Sequence, residues 1–199
     1  MHKNMKKRIQ LKTDRLLLRP FELSDAPRVK ELAGDKAIAD TTLNIPYPYK
    51  DGMAEQWIST HQPKFESGEL ANYAIILKST KELVGAIGLN IEKRFNRAEL
   101  GYWIGKEYWN QDYCTEASKA MLEYGFRNLG LNKIIATHIT RNPASGEVMK
   151  KIGMKKEGFF REHVIKWKKH EDIVSYGILK KEWKKHLTNH CSGRRKHRH

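Results

Sequence analysis

The chain is poor in cysteine: among its 199 residues only Cys114 and Cys191 occur. Two thiols build neither a disulfide framework nor a four-thiolate zinc site. Long apolar runs are missing too, with no stretch of 18, so no transmembrane helix is expected. Met1-His-Lys-Asn-Met-Lys-Lys-Arg8 is charged with no apolar stretch behind it, so no signal peptide is expected either. The common nucleotide and hydrolase motifs are absent. Gly101-Tyr-Trp-Ile-Gly105-Lys106 has the wrong spacing for a Walker A loop, and Glu107 follows where a magnesium-binding Ser or Thr would stand. Gly85-Ala-Ile-Gly88 lies inside a strand pattern rather than at a strand–helix turn, so it is no dinucleotide fingerprint. Gly-x-Ser-x-Gly and His-Glu-x-x-His do not occur. Of nine histidines, His2, His190, His197 and His199 lie at the ends and the others lack ligand spacing, so no metal is expected. His138, in a strand, and His170, near a turn, read as structural. What remains is a cytoplasmic, single-domain protein.

Positive charge is plentiful. Lys and Arg number 38 against 23 Asp and Glu, a formal net charge of +15. Such a balance invites a nucleic-acid reading, because phosphate contacts dominate that affinity. Eight of the charges, however, sit at the ends: Lys3, Lys6, Lys7 and Arg8, then Arg194, Arg195, Lys196 and Arg198. The last nine residues have no apolar periodicity and read as a solvated tail or an artificial extension. The body keeps +7 and two basic runs around tryptophan, Lys166-Trp-Lys-Lys169 and Lys180-Lys-Glu-Trp-Lys-Lys185. These read as solvated faces with a buried Trp, an RNA-binding surface being the alternative. Hydrophobic residues make up 39%, with five Trp, eight Tyr and six Phe, enough for a core.

The pattern along the chain is mixed. Residues 15–21 read as a strand ended by Pro20, and Ser24 as the cap of a helix with Val29, Leu32 and Ala33 inward and Gly34 as its stop. Asn44–Tyr49 holds two prolines and reads as an extended loop, and 53–65 as a helix limited by Pro63. Strands are expected at 73–78, 83–91 and 98–104, the first two joined by a hairpin turn at 79–82. Ala117, Ala120, Met121 and Tyr124, broadened by Leu122, Phe126 and Leu129, mark a core helix with Gly130 as C-cap. A strand at 133–140, a helix at 144–152 and strands at 159–166 and 173–179 complete the pattern. A mixed α/β sheet follows, antiparallel first, with a β-α-β crossover in the middle.

The segment with chemistry in it is Ala98-Glu-Leu-Gly-Tyr-Trp-Ile-Gly-Lys-Glu-Tyr-Trp-Asn-Gln-Asp-Tyr-Cys-Thr-Glu-Ala117. It is a strand, a polar loop and a helix start, a junction whose free N–H groups suit a phosphate or pyrophosphate. Thr115 is the expected N-cap and Glu116 a favourable first-turn acid. Here the chain resembles the GCN5-related N-acetyltransferases, and within them the group that acetylates N-terminal amines of ribosomal proteins. The resemblance rests on Gly101-Tyr-Trp103, Trp109–Ala117, Asn142-Pro-Ala-Ser145, Lys151-Ile-Gly-Met154, Glu157-Gly158, Asp172-Ile-Val-Ser-Tyr176, Glu182-Trp183 and Thr13-Asp-Arg-Leu-Leu-Leu-Arg-Pro20, in order.

That resemblance implies the family's α/β (α+β) fold. Its mixed, mostly antiparallel sheet has helices on both faces, and strands 98–104 and 133–140 splay to admit acetyl-CoA. It implies domain bounds of 13–187, with 1–12 a flexible basic N-terminus and 188–199 a basic tail. Backbone groups of Tyr102, Trp103 and Ile104 would pair with the pantetheine arm. N–H groups of Asn110, Gln111, Asp112, Tyr113, Cys114 and Thr115 would hold the pyrophosphate. Asn142 would hold the pantetheine end, with Ser145 near the thiol; Asn142 also reads simply as a helix cap ahead of Pro at the first helical position. Asn110 and Asp112 replace the family's usual loop glycines. Both tolerate positive φ, but a carboxylate aimed inward would repel pyrophosphate.

The reaction implied is direct attack of a neutral amine on the thioester. Glu99 is the candidate base, unless an Arg neutralises it, and Ser145 the candidate donor to the thiolate, with Tyr102 and Tyr113 behind it. Cys114 has no histidine partner and reads as a small packing residue. The family's default acceptor is a ribosomal-protein N-terminus; polyamines, aminoglycosides and amino acids are the alternatives, as is a weakly catalytic CoA-binding domain. Acceptor choice is assigned to segments 35–70 and 161–172. A monomer or homodimer that meets nucleic acid only incidentally, and no membrane, completes the expectation.

Overall fold

The computed structural model describes residues 8–184, so the basic ends at 1–7 and 185–199, Cys191 included, lie outside the described residues. One sheet of eight strands organises the molecule, in the spatial order β1-β2-β3-β4-β5-β6-β8-β7. The strands are β1 (Leu11–Lys12), β2 (Leu16–Arg19), β3 (Leu70–Leu77), β4 (Leu83–Glu92), β5 (Arg97–Ile104), β6 (Lys133–Ile139), β7 (Lys155–Lys166) and β8 (Lys169–Leu179). Every pairing is antiparallel except β5 with β6. The mixed, mostly antiparallel α/β sheet expected from the sequence is therefore the one observed. β1 corrects the expected flexible segment 1–12: Leu11 pairs with Leu18, and Arg8 is buried.

Helices cover the two faces, among them α1 (Ala26–Ala33), α2 (Lys36–Thr41), α3 (Met53–Ser59), α4 (His61–Glu66), α5 (Tyr113–Arg127) and α6 (Pro143–Lys151). On one face Met121, Leu122 and Phe126 of α5 and Met149 of α6 meet Leu89, Leu100 and Ile134 of the sheet. Met121, Leu122, Phe126, Leu89 and Ile134 are essentially solvent-free, each stabilising the fold by roughly 1.5–3 kcal/mol. On the other face Val29, Leu32 and Ile58 of α1 and α3 pack on Ala74, Ile76 and Ala86. Gly88 belongs in the middle of β4 because a Cβ there would collide with the Asn72 carboxamide on β3.

Several local expectations are corrected. Ser24 caps nothing: a short 3₁₀ turn (Leu23–Asp25) precedes α1, and a reciprocal box between Glu22 and Asp25 closes it. Asp25 is held there by Arg19, six residues earlier at the end of β2, at 2.7 Å. Helix α2 went unread because its six residues carry too little periodicity. Pro63 does not end a helix but sits in the first turn of α4, where its missing N–H costs nothing. Thr115 is not the N-cap of α5; Asp112 is, three residues before a buried Thr115. Gly130 (φ +71°) is not the C-cap, which is Asn128, but turns the chain into β6. β7 and β8 form one long hairpin through Trp167 and Lys168, both at positive φ. There the expected burial is inverted: Lys166 is buried and donates to the carbonyls of Leu43 and Ile45, while Trp167 is exposed. The other basic run behaves as expected, with residues 180–184 helical and Trp183 buried against Phe126 at 5.3 Å between rings.

Candidate active site

β5 and β6 run parallel and stay paired only at Arg97–Lys133, Ala98–Ile134 and Glu99–Ile135. Beyond these positions the strands part, leaving a gap that opens toward their C-terminal ends. Parity along β5 decides which backbone groups face it. Gly105 N–H donates to the Val84 carbonyl, so residues 103, 101 and 99 turn their N–H and C=O to β4, and residues 104, 102 and 100 turn theirs to the gap. Tyr102 thus presents its backbone there, together with Leu100. Trp103 does not: its backbone is spent on Ala86, and its side chain packs on the α1/α3 face. The Ile104 carbonyl is also taken, by the Trp109 indole N–H at 2.7 Å.

The loop from β5 to α5 carries the departures from glycine. Asn110 (φ +60°) and Asp112 (φ +58°) both adopt the left-handed conformation that a glycine would supply freely, so the turn survives the substitutions. No side chain caps α5, which leaves the leading N–H groups of a 15-residue helix directed at the loop. The Asp112 carboxylate, feared as a repulsive charge, is exposed and paired with Lys151 of α6 at 2.7 Å, which holds its pKa below the usual range. Arg15, a residue with no local signal, also reaches this loop. It donates to the Gln111 carbonyl at 3.0 Å, pairs with Glu116 at 2.7 Å, and lies over the Tyr113 ring. Glu116 in turn accepts from the Thr13 hydroxyl and the Arg15 N–H, tying the helix start to the β1–β2 turn. Cys114 is half-buried with its thiol pushed up to about 12 by burial, so it stays protonated and unreactive, a packing residue.

Two groups of side chains flank the gap on opposite faces of the sheet, as alternation along β5 requires. Glu99, at the last paired position, accepts a hydrogen bond from the Thr137 hydroxyl of β6 at 2.8 Å. Among the described residues no arginine claims it; Arg97 pairs with Glu92 instead. Tyr102, on the α5/α6 face, meets Ser145 of α6: its hydroxyl lies 3.0 Å from both the Ser145 hydroxyl and the Ser145 carbonyl. Burial pushes the phenol pKa well up, so the proton stays on oxygen. Asn142 is the N-cap of α6, accepting from Ser145 N–H, with Pro143 at the first helical position; its amide also donates to the Thr41 carbonyl at the end of α2. His138 is structural, its ring between Tyr176 and the close approach of Gly146.

At the mouth of the gap lies a cavity of about 680 Å³. Its walls come from α2 and the β7–β8 hairpin, within the two segments assigned to acceptor choice, and from Lys106 and Arg141, just past the ends of the parted strands.

Comparison with known proteins agrees with this architecture. Residues 15–155 match the family described as acetyltransferase (GNAT) domain. An uncharacterized N-acetyltransferase of Bacillus subtilis (strain 168), YnaD, is 33% identical over 175 residues, covering 88% of this chain and 99% of that protein. The crystal structure of a GNAT-family acetyltransferase from Bacillus anthracis superposes with a TM-score of 0.78 at 29% identity, over 87% of this chain and 100% of that one. The fold also matches a ribosomal L7/L12 alpha-N-protein acetyltransferase, RimL, in complex with coenzyme A, with a TM-score of 0.80 at 17% identity, over 86% and 98% of the two chains. Splayed strands, left-handed loop residues and a polar pair across the gap thus stand in a chain that belongs to the GNAT acetyltransferase family.

Proposed function

We propose that the chain transfers acetyl from acetyl-CoA to the N-terminal amine of a protein, by direct attack within the β5–β6 gap. The observation that carries this reading is the placement of Glu99 and the Tyr102–Ser145 pair on opposite faces of one opening. The free edge of β5 at Leu100 and Tyr102 offers N–H and C=O groups at strand spacing, which fits the amide-bearing arm of coenzyme A. The uncapped start of α5, flanked by Arg15 and Lys151, fits a pyrophosphate. When bound, acetyl-CoA supplies an activated thioester acetyl group. Glu99, fixed by Thr137, accepts the proton of the incoming amine directly or through a water. Across the sheet, the protonated Tyr102 hydroxyl, oriented by Ser145, donates toward the departing sulfur. The fold relative RimL, named for a ribosomal-protein substrate, makes a protein N-terminus the acceptor to test first.

The test is acetyl-CoA turnover, followed as released thiol, across peptide N-termini, polyamines, aminoglycosides and free amino acids. Glu99→Gln and Tyr102→Phe should each lower kcat about 100-fold, the low end for losing a positioned acid or base, while acetyl-CoA binding by calorimetry is retained. Unchanged kcat in Glu99→Gln removes Glu99 from the reaction.

A further inference from the structure

The cavity at the mouth of the gap carries an uneven charge whose excess is free. Five basic and three acidic side chains line it. All three acids are engaged. Asp40 and Glu171 both hold Arg141, at 2.7 and 2.8 Å. Asp35 caps α2 by accepting from Ala37 N–H at 2.7 Å. Among the bases, Arg141 is consumed by those two acids, and Lys166 is turned inward onto the carbonyls of Leu43 and Ile45. That leaves Lys36, Lys106 and Lys169, exposed on three separate elements and without an ion pair or hydrogen bond among the described residues. They line one cavity just past the C-terminal ends of the parted strands, with the exposed Trp167 beside them as an apolar surface.

We infer that the acceptor is an acidic N-terminal segment: the α-amine enters the gap while carboxylates on the following residues meet Lys36, Lys106 and Lys169. This rests on the N-acetyltransferase reading above and narrows its substrate class. Two physical arguments carry it. A polycationic acceptor such as a polyamine needs several unpaired carboxylates along its path, and this cavity offers only Asp35, already bound to Ala37 N–H, against three free lysines. The intrinsic basicity of the two kinds of amine points the same way. An α-amine, with an ordinary pKa of about 7.7–8.0, is roughly a tenth neutral and nucleophilic at pH 7, whereas an alkylamine near 10.4 is almost wholly charged. An extended chain advances about 3.3–3.6 Å per residue, so the carboxylates that count are those of the first few residues after the amine.

The experiment compares matched peptides with Asp/Glu, Ser/Gln or Lys/Arg at the second to fourth positions, with spermidine as the polycation, on the wild-type chain and on Lys36→Glu/Lys106→Glu/Lys169→Glu. The acidic peptide should have the lowest acceptor KM by about tenfold, the scale expected of three exposed ion pairs together, and 0.5 M salt should erase the advantage. The triple variant should reverse the order of acidic and basic peptides while its KM for acetyl-CoA stays within about twofold. Equal KM for acidic and basic peptides, or an unmoved preference in the triple variant, overturns the charge selectivity and leaves the peptide reading intact. Turnover of spermidine with none of any peptide overturns both.

Discussion

Replacing Asn142 with alanine removes two hydrogen bonds that join different parts of the site. Its Oδ1 accepts from Ser145 N–H at 3.4 Å, and its Nδ2 donates to the Thr41 carbonyl at 3.1 Å. Loss of an N-cap costs about 0.5–2 kcal/mol, and the long distance here argues for the lower part of that range. The second bond contributes a further ~0.5–1.5 kcal/mol, since it satisfies a carbonyl at the end of α2. The sum is about 1.5 kcal/mol, which for a chain of this size lowers the thermal midpoint by about 3–6 °C. Asn142→Ser keeps a side-chain oxygen for the cap but is too short to reach Thr41, so it should recover roughly half of the loss. The functional consequence follows from what the two bonds connect. The start of α6 carries Ser145 against Tyr102, and α2 walls the cavity proposed for the acceptor, so the alanine variant should lower kcat and raise the acceptor KM together. Thermal denaturation followed by far-UV circular dichroism measures the first effect and steady-state kinetics the second. A midpoint within 1 °C of wild type, or a serine variant no better than alanine, would refute the capping argument.

Two further outcomes are expected. Asp112→Gly leaves the left-handed turn in place, removes a carboxylate from the β5–α5 loop and frees Lys151, so calorimetry should show tighter acetyl-CoA binding; an unchanged affinity means that the Asp112–Lys151 pair is electrically silent toward the cofactor. His61 is buried between Trp57 and Phe21, and burial with the nearby Arg8 lowers its pKa from 6.5 to about 4. Because the unfolded chain then binds a proton that the folded chain refuses, stability is full above about pH 6.5 and falls as pH drops toward 4, by on the order of 3 kcal/mol. In His61→Gln this part of the acid limb should flatten in urea titrations at pH 7 and pH 5, and an identical pH dependence would contradict the assignment.

Legibility in the sequence followed the range of the interaction. The β5–loop–α5 segment was readable because strand alternation, a polar turn and a helical apolar face are each written within a few residues. So were the left-handed loop residues, since Asn110 and Asp112 tolerate positive φ by their own chemistry. Helix α2 was not readable, because six residues give no period to detect. The burial of Lys166 under Leu43 and Ile45 inverted a sensible local reading, since the hairpin turn at Trp167 and Lys168 decides which side faces in.

Sequence alone therefore determined the groups on offer: a polar loop between a strand and a helix start, a glutamate on a strand and a serine after an Asn-Pro helix start. Tertiary structure decided how those groups act. The three-residue limit of the β5–β6 pairing makes the gap, and the parity set by β4 removes Trp103 and spares Leu100. Lys151 neutralises Asp112 from 39 residues away, and Tyr102 finds Ser145 across 43. The physical reason is the same each time. Whether a polar group is free for a ligand depends on which partner has already claimed it, and that partner comes from a different part of the chain.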